Sequence, residues 1–175
     1  MFLTDLTYLA LEPQTKAKDS SFLAAAIQLE QKAINTYQAA ISKDLLKTPN
    51  LLDIAVDFVY DHSHHRDRLY KAMRIYFSAT PPLIENLGHF PLPDSTAEKD
   101  LLNYFLKLEL FISKTYFDAA ANLASSEARN VVASTLPIEL QHVAAYRTIL
   151  FAMMKEKGDL VPFSLFSKQT MPTLP

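Results

Sequence analysis

Apolar side chains recur every three or four positions along most of this chain, and four stretches carry the pattern strongly enough to predict helices. Over residues 20–46 the apolar seam is Leu23, Ile27, Glu30, Ile34, Tyr37 and Ile41, with Ser20 or Ser21 as the expected N-cap. Pro49 and Asn50 mark a turn. Over residues 51–77 the seam is Leu51, Ala55, Phe58, His62, His65, Leu69, Ala72 and Met73. The opposite face carries Asp53, Asp57, His64, Arg68 and Lys71 and is expected to be solvated. Over residues 96–124 the seam is Leu102, Phe105, Glu109, Ile112, Tyr116 and Leu123, with Ala119 and Ala120, and Asp94 or Ser95 as the expected cap. Over residues 127–157 it is Val132, Leu136, Glu139, His142, Tyr146, Ile149 and Met153. Pro137 lies inside this run and is expected to kink or split the helix, and Gly158 is the expected C-cap.

The connections run short, long, short. Residues 79–97 hold Pro81, Pro82, Pro91, Pro93 and Gly88, which rule out a continuous helix. Their apolar content predicts packing along the outside of the bundle, with His89 structural or exposed. A long middle connection lets the second and third helices run parallel, so the expected fold is all-α, a four-helix bundle with a crossover between helices 2 and 3. The expected division is an N-terminal extension over 1–19, the bundle over 20–157 and a C-terminal tail over 158–175. Phe163, Leu165 and Phe166 in that tail suggest docking on the bundle or on a neighbouring subunit.

Composition narrows the function classes. The length, 175 residues, suits one domain, and with only two glycines the chain favours helix. A net charge of −2 and the absence of a long basic run argue against nucleic acid as a partner. Cysteine is absent, which removes disulfides, thiolate metal sites and thiol nucleophiles and fits a cytoplasmic location. The opening MFLTDLTYLALEPQTKAKDS is short on positive charge and lacks a small-residue cleavage pattern, so it is not read as a signal peptide. No apolar stretch suggests a membrane span.

The candidate chemistry lies in two matching half-patterns. Glu30 is followed seven residues later by Tyr37, and Glu109 seven residues later by Tyr116. His62 and His65 then close the first half at i, i+3, as Glu139 and His142 close the second. That spacing puts both members of each pair on one helix face. Buried carboxylates are costly unless paired, protonated or bound to a cation. Glu30, Glu109 and Glu139 fall on the apolar seams of three different helices, and a bound metal pair accounts for all three at once. A mixed oxygen and nitrogen donor set suits iron or manganese, with zinc a lesser alternative. Taken singly, a histidine on an apolar stripe is more often a hydrogen-bonded core residue. The joint occurrence in two halves favours ligation.

The segments LEQKAINTY, HSHH, LELFISKTY and ELQH resemble the ferritin-like superfamily of di-iron and di-manganese carboxylate proteins, over residues 20–157. That family sets one Glu on each of two helices and Glu-x-x-His on each of the other two. The resemblance implies Glu30 and Glu109 as single ligands and Glu139 with His142 as one pair. It also implies two divalent metal ions as cofactors. The second helix departs from the pattern, with His62-x-x-His65 in place of Glu-x-x-His. The frame Asp61-x-x-His64 would keep an acid, but His64 shares the polar face with Asp57 and Arg68, so His62 and His65 are preferred. The departure removes one negative charge, which would weaken the second metal position, change its potential or leave one metal. Tyr37 and Tyr116 are core residues, or outer or redox partners of the ligands.

The leading functional expectation is oxidative chemistry with oxygen or peroxide: peroxide removal, ferrous oxidation or a related stress role. No rubredoxin-like Cys segment supports internal electron transfer. A non-catalytic scaffold or interaction protein with a structural, single-metal or empty site is the alternative. A plain bundle with its acids paired to lysines ranks last, because Lys32, Lys107 and Lys114 lie off the seams. The apolar tail and connection offer material for a homodimer.

Overall fold

The computed structural model describes residues 13–95 and 97–154. Four helices account for most of them: α1 (Pro13–Ser42), α2 (Pro49–Tyr76), α3 (Glu98–Asn122) and α4 (Ser126–Met154). No strand occurs among the described residues. The expected seams face inward: Leu23, Ile27, Tyr37, Leu69, Leu102, Phe105, Ile112, Tyr116, Val132 and Tyr146 are all buried. Asp53, Asp57, His64, Arg68 and Lys71 are exposed, as their shared face predicts.

Cross-helix pairs set the directions. Tyr37 of α1 meets Phe58 of α2 while Glu30 meets His62, so these helices are antiparallel. Tyr37 meets Glu109 and Glu30 meets Tyr116, so α1 and α3 are antiparallel as well. Phe58 meets Tyr146 and His65 meets Glu139, which makes α2 and α4 antiparallel. Consequently α2 and α3 run the same way, which requires the long crossover. That crossover lies against α1: Asn35 donates to the Leu87 carbonyl at 2.6 Å, and the Phe90 amide donates to Thr36 Oγ1 at 3.0 Å. Tyr70 of α2 donates to the Pro82 carbonyl.

Several helix ends differ from expectation. The first helix begins at Pro13, so Ser20 and Ser21 are interior rather than caps. Proline is tolerated in the first turn, and the Lys and Ala residues that follow favour helix. Ser21 Oγ instead donates to the Ala17 carbonyl. The cap position of α3 is Ala97, without a side-chain cap bond. Ser95 Oγ accepts from the Ala97 amide and donates to Asp100, while Glu98 accepts from the Lys47 and Thr48 amides. Glu98 thereby ties the α1–α2 turn to the start of α3.

Pro137 does not split α4, which continues through it as one helix. A proline deletes one backbone hydrogen bond. Burial of Val132 before it and of Glu139, Val143 and Tyr146 after it keeps both segments packed on the bundle. Gly158 and the tail lie outside the described residues. No helix among the described residues is long and apolar enough to cross a membrane.

Candidate metal centre

Each helix delivers its polar seam residues to the same level of the bundle. Glu30 comes from α1, His62 and His65 from α2, Glu109 from α3, and Glu139 and His142 from α4. All six are buried, and the structure brings all six together. The i, i+3 pairs project from one face of α2 and one face of α4. Two overlapping groups result: Glu30, His62, His65 and Glu139, and His62, Glu109, Glu139 and His142. Within each, ligand-type atoms lie within 4.8 Å of one another. His62 and Glu139 belong to both.

His62 occupies the middle. Its Nδ1 lies 2.7 Å from Glu30 Oε2 and its Nε2 3.3 Å from Glu109 Oε1. His142 Nδ1 lies 3.3 Å from Glu109 Oε2 and 3.6 Å from Glu139 Oε2. His65 Nδ1 approaches Glu139 Oε1 to 2.7 Å, yet neither atom is aligned for a hydrogen bond. Both Glu139 oxygens are buried without a hydrogen-bond partner. The other two acids are held by tyrosines: Tyr37 donates to Glu109 Oε1 at 2.5 Å and Tyr116 donates to Glu30 Oε1.

Burial and charge pull these groups in opposite directions. Burial disfavours a charged His62, but the Glu139 and Glu109 carboxylates outweigh it and hold the imidazole well above its ordinary value. For His142 burial again opposes charge, and contacts with Glu109 and Glu139 push it up to about 10. Burial, then the Glu139 charge, raises the Glu30 carboxyl. Burial works against charge on Glu139 too, but His62, with His142 and His65 alongside, holds it well below the carboxylate range. Burial, then the neighbouring Glu109 charge, raises the Tyr37 phenol; for Tyr116 the charge is that of Glu30.

This donor set fits a divalent cation. It offers carboxylate and imidazole and no thiolate, the combination that suits iron, manganese or zinc. Glu139 Oε1 and His65 Nδ1 lie 2.7 Å apart without an aligned hydrogen bond, and Glu139 Oε2 also lacks one; a cation between these groups would satisfy them. Two of the lysines weighed for a plain salt-bridged bundle are engaged elsewhere: Lys32 sits over the Phe90 ring and Lys114 pairs with Asp118.

His64 points away from the cluster, exposed and against Tyr60, so the frame that reaches the core is His62 with His65. Asp61 has a different place from the one its spacing suggests. It lies at the solvent edge with Oδ2 3.2 Å from His142 Nε2, as a partner of that imidazole. Phe58 stacks on the same ring, with centroids 3.8 Å apart. Neither contact is visible in sequence, because both cross from α2 to α4. The signal available in sequence was the position of Asp61 at the edge of the apolar face of α2, from which it could just reach the site.

A family model described as a ferritin-like domain matches residues 18–152. No curated protein is significantly similar to the chain. Among solved structures, a conserved hypothetical protein from Mycobacterium tuberculosis superposes with a TM-score of 0.67 at 17% identity, covering 79% of this chain and 94% of that one. At that identity the likeness bears on fold alone.

Proposed function

This chain belongs to the ferritin-like domain family, and we propose that its bundle core holds a redox-active metal centre of iron or manganese that reacts with oxygen or peroxide. The observation that carries this reading is Glu139. A buried carboxylate that accepts no aligned hydrogen bond, flanked by three imidazoles and two further carboxylates, is the arrangement of a ligand shell. Six side chains are available to that shell: Glu30, His62, His65, Glu109, Glu139 and His142. They form two overlapping groups of donor atoms that share His62 and Glu139 and would hold the metal.

When bound, the metal supplies the electrons for reduction of oxygen or peroxide. The protein supplies orientation and dryness. Glu109 and Glu30 are each fixed by a tyrosine hydroxyl, which sets their carboxylate planes. Asp61 holds Nε2 of His142, which directs Nδ1 inward. Phe58, Phe105 and Tyr146 close the end of the centre nearer the α1–α2 turn and keep bulk water from that side. Tyr37 and Tyr116 stand within hydrogen-bond reach of carboxylates and are the phenols placed to exchange a proton with the centre.

Elemental analysis after anaerobic loading with ferrous iron or manganese and desalting tests the reading. Retained metal that disappears in the Glu109→Ala and Glu139→Ala variants supports it, and oxygen and peroxide consumption are then assayed. A wild-type protein that retains no metal sinks it. That outcome would favour the scaffold reading, in which the imidazoles neutralise the acids themselves.

A further inference from the structure

The outward face of α2 is unlike that of the other helices. Exposed large apolar side chains gather on this helix: Leu52, Val56, Tyr60, Ile75 and Tyr76. α3 and α4 show one each, Phe117 and Phe151, and α1 shows none among its described residues. At helical spacing Val56, Tyr60 and Ile75 share the outward face with Asp53 and Asp57 toward its start and with Lys71 and Arg74 toward its end, and all four charged side chains are exposed. Asp53 and Asp57 stand one turn apart, as do Lys71 and Arg74, and like charges at that spacing repel. The helix dipole favours bases in the last turn, which covers Arg74 and no other member of the set. It gives no reason for apolar side chains among the charges.

The arrangement is complementary to itself when reversed. Asp57 and Lys71 are centred on His64, and Asp53 and Arg74 on the bond between Ser63 and His64. A second copy of α2 laid antiparallel about that point sets Asp57 of each copy against Lys71 of the other, and Asp53 against Arg74. One two-fold axis satisfies both kinds of pair, which is the geometry of an isologous interface. The same register carries Tyr60 of each copy to the level of Asp67 and Arg68 of the other. A surface cleft lies there, lined by His64, Asp67, Arg68 and Lys71. Arg68 donates to Ser134 of α4, and Asp67 accepts from Arg66, so two walls of the cleft are already fixed. A phenol ring seated in it would lie against the Arg68 and Lys71 cations, a favourable contact.

We propose that this chain forms a homodimer through the outer face of α2, with the two copies packed antiparallel about His64. Tyr60 is the anchor, and Val56 and Ile75 extend the apolar contact. The acidic and basic halves of the face fix direction and register. This face is distinct from the apolar tail, which lies outside the described residues, and it is opposite the seam that carries His62 and His65. The dimer therefore does not depend on the metal reading.

Sedimentation equilibrium of the full chain at micromolar concentration tests this. The expected mass is twice the 19.7 kDa of one chain, with dissociation favoured by added salt. Tyr60→Ala is expected to weaken the dimer roughly tenfold or more, as for the loss of an aromatic anchor. Asp57→Lys and Lys71→Asp are each expected to give monomers. The double variant carrying both is expected to regain the dimer, because the exchange restores the pair with its signs reversed. Circular dichroism confirms that each variant folds. The chain has no cysteine, so a single introduced thiol can cross-link only to its own counterpart. His64→Cys, at the axis, is expected to cross-link with a short bismaleimide, and Asp53→Cys is not. A monomeric wild type would overturn the proposal. So would a dimer that Asp57→Lys and Tyr60→Ala leave intact, or one in which Asp53→Cys cross-links and His64→Cys does not. Metal content enters none of these measurements, so the dimer and the metal centre stand or fall separately.

Discussion

The hydroxyl of Tyr37 donates to Oε1 of Glu109 at 2.5 Å, from α1 across to α3. Tyr116 returns the same contact from α3 to Glu30 on α1. The reciprocity follows from two facts. Each Glu precedes its own Tyr by seven residues, which keeps both on one helix face, and the two helices are antiparallel. Each tyrosine is therefore carried past its own glutamate to the glutamate of the other half.

Removing either hydroxyl should cost stability. Tyr37→Phe leaves a buried carboxylate oxygen without its donor, and a loss of about 1–3 kcal/mol is expected for such a group. Tyr116→Phe should cost a similar amount. Urea unfolding of the metal-free protein measures both. A Tyr37→Phe protein as stable as wild type would mean that this hydrogen bond does not hold Glu109.

Asp61 offers a test with little risk to the fold, because its side chain is 40% exposed while His142 beside it is buried. Asp61→Ala should leave the melting temperature nearly unchanged and weaken metal binding roughly 10- to 100-fold. Asp61→Asn keeps an acceptor and should fall between the two. Equal affinity in all three proteins would show that His142 orients itself without help.

Metal and protons should compete. In the metal-free protein His62 and His142 are held above their ordinary values, His142 at about 10, so both are protonated near neutral pH. Ligation needs the neutral ring, so metal uptake should release protons and affinity should rise with pH up to that value. Calorimetry in buffers of different ionisation enthalpy counts the protons, and heats independent of buffer would refute the idea. The metal-free protein should show the opposite trend in stability. A folded-state value above the unfolded one, about 6.5, contributes stability that is complete below pH 6.5 and is lost as pH rises through the folded value.

Asp19 provides a prediction away from the centre. It is buried in α1 and accepts from the Ala124 and Ser125 amides, at 3.1 and 2.7 Å, which holds the turn between α3 and α4. Asp19→Ala strands two turn amides and should destabilise by about 1–3 kcal/mol. Asp19→Asn should recover part of that loss. Thermal melts of the two variants decide it, and indistinguishable melts for Ala and wild type would remove Asp19 from the account of the turn.

Much of this molecule was legible in one dimension because helices repeat every 3.6 residues. A side chain's position in that repeat tells whether it faces the core. The seams alone identified four helices, and the placement of Glu30, His62, His65, Glu109, Glu139 and His142 on those seams identified the polar cluster. The interval rich in proline between α2 and α3 announced the crossover, since Pro81, Pro82, Pro91 and Pro93 cannot continue a helix. Helix ends were less legible. The start of α1 at Pro13 follows local preference that the Ser20 and Ser21 cap signals masked, while the continuity of α4 through Pro137 depends on packing that outweighs local preference.

The sequence by itself determined which residues face inward, because that is a local property of a helix. Only the tertiary structure decided which inward residues meet. The register between antiparallel helices is set by packing along their whole length and leaves no trace in local spacing. That register puts Tyr37 on Glu109, Asp61 on His142 and His62 between two acids. Which carboxylate each imidazole nitrogen faces follows from that register.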